Sequence, residues 1–96
     1  MTEAELLAAV NELASYLQLF VYHTRDSRRS DPGFPDLVLA GRRGIIFAEL
    51  KSEHGRLSPW QQDWRDRLQA SGARWRLWRP QELQSGDILK ELKAIT

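Results

Sequence analysis

Four apolar residues, Ile45-Ile46-Phe47-Ala48, run directly into Glu49-Leu50-Lys51. Branched and aromatic residues in an unbroken run read as a strand covered on both faces, and such a strand belongs inside a sheet rather than at its edge. A buried strand that ends in an acid and a lysine must supply partners for those charges, because burying an ionised carboxylate without a partner is costly. The surroundings of this strand are legible. Asp36-Leu37-Val38-Leu39-Ala40 reads as a second strand, and Gly41-Arg42-Arg43-Gly44 as the turn that makes the two a hairpin. Glu49 and Lys51, two residues apart, share a face, and the hairpin returns them to the end where Asp36 stands.

The remaining elements follow from periodicity and end signals. Thr2 to about Leu19 reads as a helix, with Leu6, Val10, Leu13, Ala14 and Leu17 at helical spacing and a Thr2/Glu5 capping box. Leu19 to His23 reads as a short strand, and Arg25 to Pro35, dense in Arg, Ser, Asp, Pro and Gly, as a loop. A second helix opens with Ser58 as N-cap, Pro59 at the first position and Gln61 closing another capping box; Trp60, Trp64 and Leu68 line one face and Gly72 stops it. Trp60 and Trp64 read as core or dimer interface rather than as base-stacking groups. Arg74 to Trp78 reads as a strand that Pro80 interrupts, and Asp87 as the cap of a last helix through Ile88, Leu89, Leu92 and Ile95. The order α-β-β-β-α-β-α predicts an α/β domain over residues 1–96, with a small mixed sheet flanked by helices.

Composition narrows the partners. With no cysteine, a disulfide scaffold, a zinc ribbon and a thiol nucleophile are excluded. His23 and His54 are too few and too far apart for a zinc site. There is no apolar run of the ~20 residues that a membrane span needs and no signal-peptide pattern, which fits a cytoplasmic protein. The net charge is only +1, yet residues 20–79 hold eleven arginines and one lysine against seven acids. Arginine forks match phosphate oxygens, so a polyanionic partner is one reading and a solvated, ion-paired surface is the other. Arg25, Arg28 and Arg29 before the first hairpin strand, Arg56 before the second helix and His23 are the candidate contacts for a phosphate backbone. Arg42 and Arg43, in the hairpin turn away from the acids, read as solvated. At 96 residues only about 60–65% of the unfolded surface is buried, so self-association is plausible.

Two carboxylates and an ammonium gathered at a strand end suit a hard divalent cation such as Mg²⁺, which can polarise a phosphoryl oxygen. Lys51 is then read as a stabiliser of charge on the phosphate. Taken singly, each element has a plainer meaning: Asp36 as a turn aspartate after proline, Glu49 and Lys51 as an ion pair, Gln61 as a cap. Together, Pro35-Asp36 and Glu49-Leu50-Lys51 resemble the motifs of the PD-(D/E)XK nuclease superfamily, whose core is restriction-endonuclease-like. The ordered set Gly33-Phe34-Pro35-Asp36-Leu37, Glu49-Leu50-Lys51 and Leu57-Ser58-Pro59-Trp60-Gln61 resembles the VRR-NUC family within it, over roughly residues 3–80.

The resemblance implies a Mg²⁺- or Mn²⁺-dependent DNA endonuclease, free-standing as in phages and bacteria, homodimeric and acting on branched DNA such as four-way junctions or flaps. It implies Asp36, Glu49 and the backbone carbonyl of Leu50 as metal ligands, Lys51 as the catalytic lysine and Gln61 beside the site. It also implies an acid on the first helix. Glu3 continues the apolar face and is favoured over Glu5, which already has a capping role. The rival readings are a junction-binding module that keeps the fold but cleaves little, and a partner protein whose acids and lysine form only an ion-pair network.

Overall fold

The computed structural model describes residues 1–25 and 31–96. Helix α1 (Glu3–Tyr16) is followed by strands β1 (Phe20–His23), β2 (Leu37–Gly41) and β3 (Gly44–Leu50). Helix α2 (Pro59–Ala70), strand β4 (Arg74–Trp78) and helices α3 (Pro80–Gln84) and α4 (Asp87–Ile95) complete the chain. The sheet order is β1-β2-β3-β4. β1–β2 and β2–β3 are antiparallel and β3–β4 is parallel, so the sheet is mixed and β3 is an inner strand, as its apolar run predicts.

The two sheet faces are filled differently. Leu37, Leu39, Ile46, Ala48, Leu50 and Trp78 point to one face and join Leu6, Val10 and Ala14 of α1 and Ile88, Leu92 and Ile95 of α4 in one buried cluster. Each fully buried aliphatic side chain contributes about 1.5–3 kcal/mol of transfer free energy, so this layer holds most of the apolar stabilisation. Arg76 adds an ion pair to Glu91 at 2.8 Å, tying β4 to α4. The second face receives α2, of which no residue is fully buried.

Three sequence expectations change. Pro80 does not merely break β4: it takes the first position of the five-residue α3, where its missing N–H costs nothing. The N-cap of α4 is Gly86 at φ 85°, and Asp87 is the first helical residue. Trp60 is not core but 61% exposed, because α2 meets the sheet through neighbouring positions. Trp64 sets its ring edge-on to Phe34 at 5.0 Å.

Candidate active site

The register of the hairpin carries Asp36 to a definite neighbour. Leu37 faces Ala48 and Val38 faces Phe47, so the next pair outward is Asp36 opposite Glu49, with both side chains on the α2 face. Asp36 sits one step before β2 proper, where Thr24 fixes its peptide: the Thr24 N–H donates to the Asp36 carbonyl at 2.9 Å, and the Thr24 hydroxyl donates to the Pro35 carbonyl at 2.9 Å. The Asp36 carboxylate then accepts the Leu50 N–H at Oδ2, 2.8 Å. That bond caps the end of β3.

Among the described residues Glu49 is the one buried charged side chain, 2% exposed. Its Oε1 accepts from Gln61 Nε2 at 2.9 Å. Its Oε2 is buried and meets no donor. Burial is the main cause that pushes the Glu49 carboxyl up to about 9. A carboxyl–carboxyl hydrogen bond and charge repulsion from Asp36 push the same way, with a smaller push from Glu3, while Lys51 pulls it down. A bond between two carboxyls requires a proton on one of them, so the ionised pair has only repulsion across the gap.

Gln61 has two functions at once. Its Oε1 accepts the Ser58 N–H at 2.8 Å, and its backbone N–H donates to the Ser58 hydroxyl at 3.2 Å, closing the capping box. Its remaining amide group reaches Glu49. The capping box accounts for the first function, and the resemblance implies only that Gln61 lies beside the site; the contact with Glu49 itself depends on where α2 docks.

That docking is set by the loop before Asp36. Gly33 has φ 84°, and a Cβ there would lie 2.3 Å from the carbonyl carbon of Trp60. Only glycine tolerates both the left-handed backbone and the close approach to the first turn of α2. Phe34 wedges edge-on between Phe47 of β3 and Trp64 of α2, and the Trp64 indole N–H donates to the Pro32 carbonyl at 3.1 Å. Phe34, Trp64 and Gly33 thus position Gln61, roles that periodicity did not reveal.

Lys51 follows the strand end, and its N–H donates to the Trp78 carbonyl at 3.0 Å, keeping the backbone in register with β4. Its aliphatic stem packs beside Gly55, where an added Cβ would lie 3.4 Å from Lys51 Cδ. Arg79, which the sequence did not single out, donates to the Ser52 carbonyl at 2.7 Å and so fixes the loop beyond Lys51.

Among the described residues no three His, Asp or Glu side chains are grouped tightly enough to hold a metal alone. Glu3 is exposed at the start of α1, and its charge reaches Glu49. Glu5 spends its carboxylate on the Thr2 N–H at 2.8 Å. His23 pairs with Leu37 and therefore points to the face opposite Asp36 and Glu49, so the fold does not bring it to the pair. Arg25 and Arg56 are exposed. Arg28 and Arg29 lie outside the described residues.

The antiparallel hairpin, with β4 parallel at its edge, thus opposes two carboxylates under the capped helix α2, with a lysine two residues beyond Glu49, and the family model that matches the chain is that of a nuclease-type domain. The family model of the VRR-NUC domain matches residues 2–81, and the chain belongs to that family. A solved structure described as "VRR_NUC domain" is similar in fold, with a TM-score of 0.70, 24% identity, and 90% of this chain and 95% of the other covered. A second, described as "VRR_NUC domain protein", gives a TM-score of 0.66 at 19% identity over 82% and 78% of the two chains. No curated protein matches the chain. No helix among the described residues is long and apolar enough to cross a membrane.

Proposed function

We propose that this chain is a divalent-metal-dependent endonuclease that hydrolyses DNA phosphodiester bonds, with branched DNA such as junctions or flaps as its preferred substrate. The observation that carries the reading is the pairing of Asp36 with Glu49, whose buried Oε2 has no donor. Two facing carboxylates with an orphaned oxygen fit a hard cation better than they fit each other. Asp36 through Oδ1, Glu49 through Oε2 and the Leu50 carbonyl would hold Mg²⁺ or Mn²⁺, with water completing the oxygen set. The bound ion supplies charge on the phosphate and acidifies water at neutral pH.

The chain's own residues do the rest. Gln61 holds Glu49 by its Oε1 and leaves the buried Oε2 without a donor. Lys51 places an ammonium beside the pair, where it stabilises the extra negative charge that develops on phosphate oxygens during attack. Glu3 adds a negative charge from α1 that favours cation occupancy. Arg25 and Arg56, both exposed, offer charge to the flanking backbone. A homodimer would present two such sites to a branched substrate.

Labelled duplex, single-stranded, flap and four-way-junction DNA, incubated with Mg²⁺, Mn²⁺ or EDTA, tests the proposal. Metal-dependent cuts that fall by about a hundredfold or more in Lys51→Ala are expected. Junction binding with no cuts in any metal would replace the enzyme with a binding module.

A further inference from the structure

The sheet face that carries Asp36 and Glu49 is only half covered. Residues opposed across strands share a face, which gives three rows. Asp36 and Glu49 form the first. Tyr22, Val38 and Phe47 form the second, and Phe20, Ala40 and Ile45 the third. Phe34 and Trp64 close over Phe47 at the β3 end of the second row. Over β1 and β2 the described residues place no helix: Phe20 is 82% exposed, Tyr22 62% and Ile45 48%.

Large exposed aromatics in line with a reactive centre call for an occupant. Charge selects its class. Residues 16–25 and 38–45 contain no acid and three arginines. Arg25 stands exposed at one end of the aromatic row, and Arg42 and Arg43 at the other. Arg42 also lines a cleft with Gln18, Phe20, Ala40 and Gly41. A second copy stacked here would set arginines against arginines, whereas a phosphate backbone neutralises them.

Spacing selects its form. Along a strand the rise is about 3.3 Å per residue, so the Tyr22 row lies about 7 Å and the Phe20 row about 13 Å along the strands from the carboxylate row, with β1 set one strand spacing, about 4.8 Å, to the side of Asp36 and two to the side of Glu49. Two rings on one sheet face at this separation suit successive unstacked bases, as on other sheet platforms for single strands.

We infer that the β1–β2 face is a stacking platform for the single-stranded part of the nucleic-acid substrate, with one base on Tyr22 and the next on Phe20, and Arg42 on the backbone. The inference rests on the proposed cutting site at Asp36 and Glu49, from which the strand would run.

The test uses the full chain carrying Lys51→Ala in EDTA, so that cutting plays no part. The probes are a duplex with a short single-stranded tail, labelled with 2-aminopurine at successive tail positions, and the same duplex blunt. Phe20→Leu and Tyr22→Leu should each weaken tailed-DNA binding about fivefold or more, leave blunt binding unchanged, and relieve quenching at one tail position. Phe20→Trp should restore both signals, because it restores a ring and not merely apolar area. Equal binding of tailed and blunt DNA by the parent, or full affinity in both leucine variants, would overturn the platform. Sedimentation is the second readout: a parent dimer that Phe20→Leu turns into a monomer would overturn it by assigning the face to a second copy. A protein that holds the tail through Phe20 yet cuts nothing with Lys51 intact would defeat only the nuclease reading.

Discussion

Glu49→Gln is expected to stabilise the metal-free protein, and increasingly so as pH rises. In the unfolded chain the Glu49 carboxyl ionises near 4.5; in the fold, burial first and Asp36 second keep its proton on up to about 9. Between those values the folded state binds more protons than the unfolded one. The contribution is therefore intact below about pH 4.5 and is lost progressively as pH climbs toward 9. A single proton limits the slope to about 1.4 kcal/mol per pH unit, so about 4 kcal/mol is at stake between about pH 5 and pH 8. That is a large share of the roughly 5–15 kcal/mol that holds a small domain together. The substituted glutamine is neutral at every pH. Its carbonyl can still accept from Gln61, and its NH₂ can donate toward Asp36 where the protonated acid donates an O–H. Urea unfolding in EDTA across this range measures the difference. With m near 1 kcal/mol/M for so small a chain, the wild-type midpoint should lose up to about 1.4 M per pH unit relative to Glu49→Gln. Parallel pH profiles for the two proteins would mean that Glu49 folds ionised, and the account of the carboxylate pair would be wrong. Mn²⁺ added at alkaline pH should raise the wild-type midpoint and leave that of Glu49→Gln nearly unmoved.

Other substitutions separate roles that the sequence runs together. Gln61→Glu preserves an acceptor for the Ser58 N–H but replaces the donor to Glu49 with a repelling carboxylate; activity should fall more than tenfold while α2 stays folded, read by cleavage rate against circular dichroism. Gly33→Ala forces a Cβ into the Trp60 peptide at positive φ, and should cost about 1–3 kcal/mol in urea unfolding as well as displacing Gln61. Glu3→Ala should weaken metal-dependent cleavage with little change in melting temperature. Glu5→Ala, which opens the first capping box, should lower the melting temperature and spare cleavage.

The hairpin was legible because β3 is apolar without interruption and glycines flank its turn; register alone then opposes Asp36 to Glu49. Both capping boxes, with Thr2 and Ser58, read correctly, since a cap is a local bargain between residues three apart. What sequence periodicity could not supply was the way α2 lies on the sheet. It left Trp60 as core or dimer interface, and the helix leaves it out of the core, 61% exposed. The capping box accounts for Gln61 completely, so only the family resemblance gave a reason to place it beside the site. Pro80 read as an end when it is also a beginning, because proline breaks a strand and opens a helix by the same missing N–H. His23 looked well placed in the chain, yet strand alternation turns it to the opposite face.

The amide of Gln61 faces two ways, with its oxygen on the Ser58 N–H and its nitrogen on Glu49. One small group thereby joins the integrity of a helix end to the aim of a reactive carboxylate. Because α2 has no fully buried residue, its first turn should open at lower free energy than the α1–α4 core. Each such opening would release Glu49 from its fixed direction while the rest of the domain stayed folded. On warming, the chain should lose its cutting activity before it melts, with amide exchange at Gln61 and Gln62 rising in step with that loss.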